Sequence, residues 1–270
     1  MIIMAPSIDE NDLDCRERVC RAVIQEAGHF ALDWFERRTS IAVSLKGPMD
    51  YASEADAAVE RLVRGRLAEA FPDDAFLGEE EGGETGERVW VLDPVDGTAN
   101  FVRGITRFCV SLAFVSGKRI ELGAICSPAT GELYLARRGR GATLNGAPIR
   151  CAATTAVERA SIEIGWSSRL PYGPYLAAIE RMLAAGIDFR RFGSGAMGLA
   201  WVADGRADAY LELHINSWDC LAGILLVEEA GGRVNDFLAG DGLRRGNPVL
   251  AAAPGVAERI AELAGVPLRP

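Results

Sequence analysis

The chain has 270 residues, 49% of them hydrophobic and 25% charged, as expected of a soluble globular protein with a large core. A net charge of −9 excludes a general nucleic-acid or anionic-membrane surface, which needs a basic patch; a phosphorylated substrate stays open, because a bound cation reverses the local potential. The 6 cysteines are scattered without a CxxC pair and there are 2 histidines, so neither a disulfide framework nor a zinc site is expected. No basic n-region followed by an apolar h-region is visible, and no uncharged run reaches transmembrane length. The expected compartment is the cytoplasm.

Residues 9–38 read as one amphipathic helix, with Leu13, Val23, Ile24, Ala27 and Phe35 at helical spacing. His29 within it reads as a surface or core side chain, not a ligand. A short strand, Ile41 to Leu45, leads to a Gly47-Pro48 turn. A second helix runs from Ser53 to about Phe71, with Ser53 as N-cap and Asp56 three residues on, close to a capping box. Ala75–Gly78 is a short strand entering Glu79-Glu80-Glu81, a charge run of the kind that usually forms a solvated loop.

The next stretch organises the rest. Trp90, Val91 and Leu92 run into Asp93-Pro94-Val95-Asp96-Gly97-Thr98. Pro94 cannot donate to a ladder, so the strand is expected to stop at Asp93 with two carboxylates at its end. Open α/β sheets place their chemistry there. If the strand at 75–78 pairs with this one, Glu79 and Asp93 meet at one sheet end.

Residues 108–116, 119–127 and 132–137 read as an antiparallel meander, and the basic, glycine-rich stretch Gly139–Gly146 as turns. From about 151, strands at 160–166, 189–192, 207–213, 232–235 and 248–253 alternate with helices at 172–185, 195–204, 217–230 and 254–264. The change of pattern suggests an N-terminal α+β half, 1–150, with most of the acidic candidates, and a C-terminal α/β half, 151–270, in one compact unit. In the second half, Gly193-Ser194-Gly195 lies between a strand and a helix. Such small residues serve either backbone contact with an anion or close packing. Asp219 opens a helix, which the helix dipole favours by itself.

The order Lys46…Ser53-x2-Asp56, Gly78-Glu79-Glu80, Asp93-Pro94-Val95-Asp96-Gly97-Thr98-x-Asn100-Phe101, Glu212, Trp218-Asp219-x2-Ala222-Gly223 resembles the inositol monophosphatase family. This family lies within the lithium-sensitive, magnesium-dependent phosphatases that include fructose-1,6-bisphosphatases. The resemblance spans roughly residues 10–265. It implies a layered α-β-α-β-α sandwich of mixed α+β / α/β class and a phosphoric monoester hydrolase acting on inositol monophosphate or a similar polyol phosphate.

Glu79, Asp93, Asp96 and Asp219 are hard oxygen donors, which suit Mg²⁺ better than zinc. By resemblance, one ion takes Glu79, Asp93 and the Val95 carbonyl, and a second takes Asp93, Asp96 and Asp219. A third would lie near Glu79, which counts also among the catalytic groups. Thr98 would orient the attacking water, with Asp56 as its partner and proton acceptor. The N–H groups of Gly97 and Thr98 would hold phosphate. Asp96, Glu212 and the backbone of Gly193, Ser194 and Gly195 would meet substrate hydroxyls, with Lys46 and Glu80 in support. A homodimer is also implied, without nucleic-acid or membrane partners.

The family pattern is departed from in two places. Ser53 replaces a usual threonine, and Val102-Arg103-Gly104-Ile105-Thr106-Arg107 replaces a loop containing Gly-Phe-Pro. Relatives of this size also act on histidinol phosphate, 3′-phosphoadenosine nucleotides, fructose bisphosphate and NADP. Some bacterial relatives are binding partners of the transcription machinery.

Overall fold

The structure, a computed structural model, describes residues 8–40, 42–47 and 50–269, without the side chains of 45–47 and 50–52. The first long helix, α1 (Glu10–Glu36), is capped by the Asp9 carboxylate, and its buried stripe includes Val23, Ile24, Ala27 and Ala31. A hairpin follows, β1 (Val43–Gly47) and β2 (Asp50–Ser53). Ile41 of the expected strand lies outside the described residues. Ser53 caps α2 (Glu54–Ala70) through the predicted capping box with Asp56.

Next come β3 (Ala75–Gly78), β4 (Gly82–Gly83), β5 (Arg88–Asp96) and the one-turn helix α3 (Thr98–Val102). The meander is β6 (Cys109–Ser116), β7 (Arg119–Ser127) and β8 (Glu132–Arg137). It continues into β9 (Gly141–Leu144) and β10 (Ala147–Pro148). The glycine-rich stretch expected to be all turns therefore contains a strand. Gly139 and Gly141 make the turn, and residues 141–144 then pair with β8.

The remaining elements are β11 (Ser161–Ile164), α4 (Tyr172–Ala184), β12 (Asp188–Arg190), α5 (Gly195–Ala203), β13 (Ala209–Ile215) and α6 (Ser217–Glu229). The chain ends with β14 (Arg233–Val234), α7 (Gly242–Arg245), β15 (Asn247–Ala252) and α8 (Ala257–Ala264).

These elements form the predicted five layers. The larger sheet has the order β10-β9-β8-β7-β6-β5-β3-β4, and the smaller β12-β11-β13-β15-β14. Helices α1 and α2 cover the outer face of the larger sheet. Helices α5 and α6 lie between the two sheets, and their residues form the central core with Val89, Val91, Tyr134 and Val249. Helices α4 and α8 cover the far face of the smaller sheet. Both faces of β5 and β6 are buried, which is why these strands read as continuous apolar runs.

Strand β5 does not stop at Asp93. It continues to Asp96 through a bulge, with Asp93 opposite Ser111 and Asp96 opposite Cys109. Pro94 falls inside the interruption, where its missing N–H leaves no ladder bond unmade. The bulge has a larger effect on the side chains. Val89 and Val91 face the central core, whereas Trp90 and Leu92 face α1 and α2. Strict alternation would send Asp93 inward and Asp96 outward. The extra residue instead turns Val95 into the outer core, so Asp93 and Asp96 share the inner side with the start of α6.

Candidate active site

Three elements meet at one point. Strands β3 and β5 run parallel, with Gly78 opposite Leu92, and the Glu79 N–H donates to the Leu92 carbonyl at 3.2 Å. This brings Glu79 beside Asp93, as the pairing argument expected. The first turn of α6 adds Asp219, whose carboxylate accepts the Asn216 N–H at 3.0 Å in a capping box. Carboxylate oxygens of Asp93, Asp96 and Asp219 lie within 4.8 Å of one another. Glu79 lines the same cavity of about 500 Å³, together with Val95, Gly97, Thr98 and Glu212.

The electrostatics of this cluster are unfavourable without a cation. Asp93 is 1% exposed and Asp96 6%. Burial, then the charges of Glu79, Asp96 and Asp219, push the Asp93 carboxyl well above its ordinary range. Burial and the charges of Asp96 and Glu212 raise Asp219 to about 7. Among the described residues neither Asp93 nor Asp219 has an ion-pair partner. A group of buried and half-buried, mutually repelling, all-oxygen donors fits a hard divalent cation.

Asp96 is held from three directions. The Ser194 hydroxyl donates to its Oδ2 at 2.6 Å, the Ala196 N–H to Oδ2 at 2.7 Å and the Gly195 N–H to Oδ1 at 3.2 Å. Burial raises its pKa, and these bonds hold it down in part. The N-terminus of α5 was expected to offer its backbone to substrate hydroxyls. The Ser194 hydroxyl and the Gly195 and Ala196 N–H groups serve Asp96, and Gly193, Ser194 and Gly195 line the cavity.

Thr98 lies just past the bulge, in the turn where Gly97 adopts φ 93°, a left-handed backbone that glycine takes without strain. Its hydroxyl is 2.9 Å from Asp56 Oδ1 and 2.9 Å from the Val95 carbonyl. Asp56 is 0% exposed, and its Oδ2 accepts the Ser53 N–H at 2.9 Å and the Ser53 hydroxyl at 2.6 Å. Burial raises its pKa against these bonds. Asp56 is thus a helix cap and a Thr98 partner at once, one function for each oxygen.

On the opposite wall Glu212 is buried, and its Oε2 accepts the Tyr210 hydroxyl at 2.7 Å. Burial raises its pKa to about 7. Of the two arginines in the stretch Val102–Arg107, Arg103 lines the cavity. Arg107 is withdrawn from it: it pairs with buried Glu163 and packs over the rings of Phe192 and Trp201. The side chain of Lys46 lies outside the described residues. Glu80 does not line the cavity; its N–H donates to Glu60, a buried acid on α2 that the sequence reading passed over. The available signal was its position four residues after Asp56, on the same helical face.

Comparison with known proteins agrees with this geometry. The sequence pattern of the inositol monophosphatase family matches residues 12–265. An inositol-1-monophosphatase of Rhizobium meliloti is 40% identical over 225 residues, 82% of this chain and 84% of that protein. A protein of Xylella fastidiosa named Nus factor SuhB is also 40% identical, over 82% of this chain and 81% of its own length. The crystal structure of extragenic suppressor protein suhB from Bartonella henselae superposes with a TM-score of 0.85 at 35% identity, covering 92% of this chain and 97% of that one. The match over nearly the whole chain, joined to a carboxylate cluster on a bulged strand end, makes this chain a member of the inositol monophosphatase family, a family of phosphoric monoester hydrolases.

Proposed function

We propose that the protein is a Mg²⁺-dependent phosphomonoesterase acting on inositol monophosphate or a similar polyol phosphate. The observation that carries this reading is the clustering of Asp93, Asp96 and Asp219 within 4.8 Å, beside the Thr98–Asp56 hydrogen bond of 2.9 Å. Glu79, Asp93, Asp96, Asp219 and the Val95 carbonyl would hold two or three ions. When bound, the ions neutralise phosphate oxygens and acidify water.

The chain's own groups do the rest. Thr98 donates its proton to ionised Asp56, so the Thr98 oxygen is left to accept from a water and aim it. Asp56, buried and with a raised pKa, is suited to receive a proton through that hydroxyl. The N–H groups of Gly97 and Thr98 at the start of α3 would hold phosphate. Glu212 would accept from vicinal hydroxyls of the leaving alcohol, and the Gly193–Gly195 turn would keep Asp96 aimed.

A panel of phosphate esters assayed for phosphate release tests this. Inositol monophosphate or another polyol phosphate should give the highest kcat/KM with Mg²⁺, and Li⁺ should inhibit. A higher kcat/KM on histidinol phosphate, a 3′-phosphoadenosine nucleotide or fructose bisphosphate would replace the substrate assignment, and no release from any ester would refute the enzyme reading.

A second role, as a partner of the transcription machinery, draws on the name Nus factor SuhB carried by a relative at 40% identity. It predicts that a deletion phenotype is rescued by D96N, which keeps the surface and loses the chemistry. Chain association, expected as a homodimer, is measured by light scattering.

A further inference from the structure

Glu60 lies on α2 one turn beyond Asp56 and is 0% exposed. A buried carboxylate is costly unless its oxygens are fully used. Here they are. Oε2 accepts the Glu80 N–H at 2.9 Å, and Oε1 accepts the Glu81 N–H at 3.0 Å and Arg64 Nη2 at 2.7 Å. Arg64 also donates to the Gly82 carbonyl at 2.9 Å and lies over the Phe76 ring at 4.3 Å. Three successive residues between β3 and the start of β4, Glu80, Glu81 and Gly82, are thus fastened to one helix.

Gly78 completes the arrangement. A Cβ at this position would lie 2.3–2.4 Å from the carboxyl carbon and both oxygens of Glu60. Only glycine lets the carboxylate approach so near the strand end. Glu79 sits between Gly78 and this fastened loop, with its own N–H on the Leu92 carbonyl at 3.2 Å. Its charge is the nearest strong influence on Asp93 after burial itself. An apolar residue at position 60 would pack α2 against β3 without any of these bonds. What the carboxylate adds is a fixed backbone on the C-terminal side of Glu79.

We propose that Glu60 is a positioning residue: through the Glu80 and Glu81 amides it fixes the direction of Glu79 and so sets the divalent-cation affinity of the site, touching neither cation nor substrate. This rests on the cation site proposed above. Asp56 and Glu60, one turn apart, then give α2 two tasks, proton handling through one carboxylate and ligand aiming through the other.

The test is E60Q, which keeps size and shape but turns one acceptor oxygen into a donor facing an N–H. Mg²⁺ is titrated calorimetrically into metal-stripped wild type and variant, and urea unfolding of both is followed without metal. The Mg²⁺ dependence of phosphate release is measured alongside. Mg²⁺ binding to E60Q should weaken roughly 10- to 100-fold, the effect typical of groups that orient a ligand, while kcat at saturating Mg²⁺ is largely kept. Should E60Q fail to fold, G78A, which displaces the same carboxylate from the other side, must give the same loss of Mg²⁺ affinity. Where both single variants fold, the double variant should be no worse than the worse single, because both act on one contact. A folded E60Q or G78A with wild-type Mg²⁺ affinity overturns the positioning role alone. A wild type that binds no Mg²⁺ overturns the cation site and this role with it.

Discussion

Replacing Asp56 by asparagine separates its two functions. In the native site Oδ2 accepts the Ser53 N–H at 2.9 Å and the Ser53 hydroxyl at 2.6 Å, and Oδ1 accepts from Thr98 at 2.9 Å. An asparagine with its oxygen toward Ser53 keeps the cap. Its Nδ2 then faces the Thr98 oxygen and donates to it, which turns the Thr98 proton to the Val95 carbonyl, also at 2.9 Å. Every hydrogen bond survives, and a buried charge is removed, so stability should change by less than about 1 kcal/mol. Deleting the cap outright, as in D56A, costs about 1–2 kcal/mol.

Turnover behaves differently. The Thr98 proton is now committed to the Val95 carbonyl, and no carboxylate remains to take a proton through that hydroxyl. Loss of general-base assistance costs about 10²–10⁴ in kcat, or roughly 3–5 kcal/mol of barrier. The assay is phosphate release at saturating Mg²⁺ and substrate, with urea midpoints measured on the same preparations. A D56N enzyme of normal stability whose kcat stays within about tenfold of wild type would leave Asp56 as a cap and refute the proton-transfer role.

Substituting Asp96 or Asp219 by asparagine should abolish phosphate release while circular dichroism stays native. In metal-stripped protein D219N should be more stable, on the order of 1–3 kcal/mol, because the folded state raises that carboxyl to about 7; a lower urea midpoint would contradict the repulsion argument. A raised carboxyl holds its proton to higher pH in the folded chain than in the unfolded one. Stability without metal should therefore fall as pH rises from about 4 to about 7, the range set by Asp219 and Glu212, and level off above. Mg²⁺ should flatten that slope, as read by urea titration across the range. G165A places a Cβ 2.0 Å from Glu212 Oε2 and 2.4 Å from the Tyr210 hydroxyl, so KM for a polyol phosphate should rise several-fold with a smaller change in kcat.

Much of this was legible in the residue order because it rests on local chemistry. The apolar run into Asp93, the capping box at Ser53 and the alternation after residue 151 each report a periodicity or a cap that a single segment carries. What was missed depends on partners distant in sequence. The strand at Gly141–Leu144 exists because β8 supplies its ladder; alone, three glycines and an arginine within eight residues read as turn. The extension of β5 to Asp96 depends on pairing with Cys109, which no local rule anticipates at a proline. Glu60 has the composition of a solvated helix face, and its burial is decided by the loop across from it. The turn at Gly193 left two readings open, backbone contact with an anion or close packing, and the carboxylate its neighbours hold is Asp96, 98–100 residues earlier in the chain.

That last separation bears on when the catalytic centre comes into being. Contacts across a hundred residues carry a larger loop-closure entropy than those within local helices and hairpins. Until α5 has docked, Asp96 lacks the three donors that hold its carboxylate, however well β5 and β6 have paired. The geometry therefore acts as a completeness check on the fold. A nascent or partly unfolded chain presents scattered acids to the phosphate esters around it, and the hydrolytic centre is assembled only when residues near 96 and near 195 have found each other.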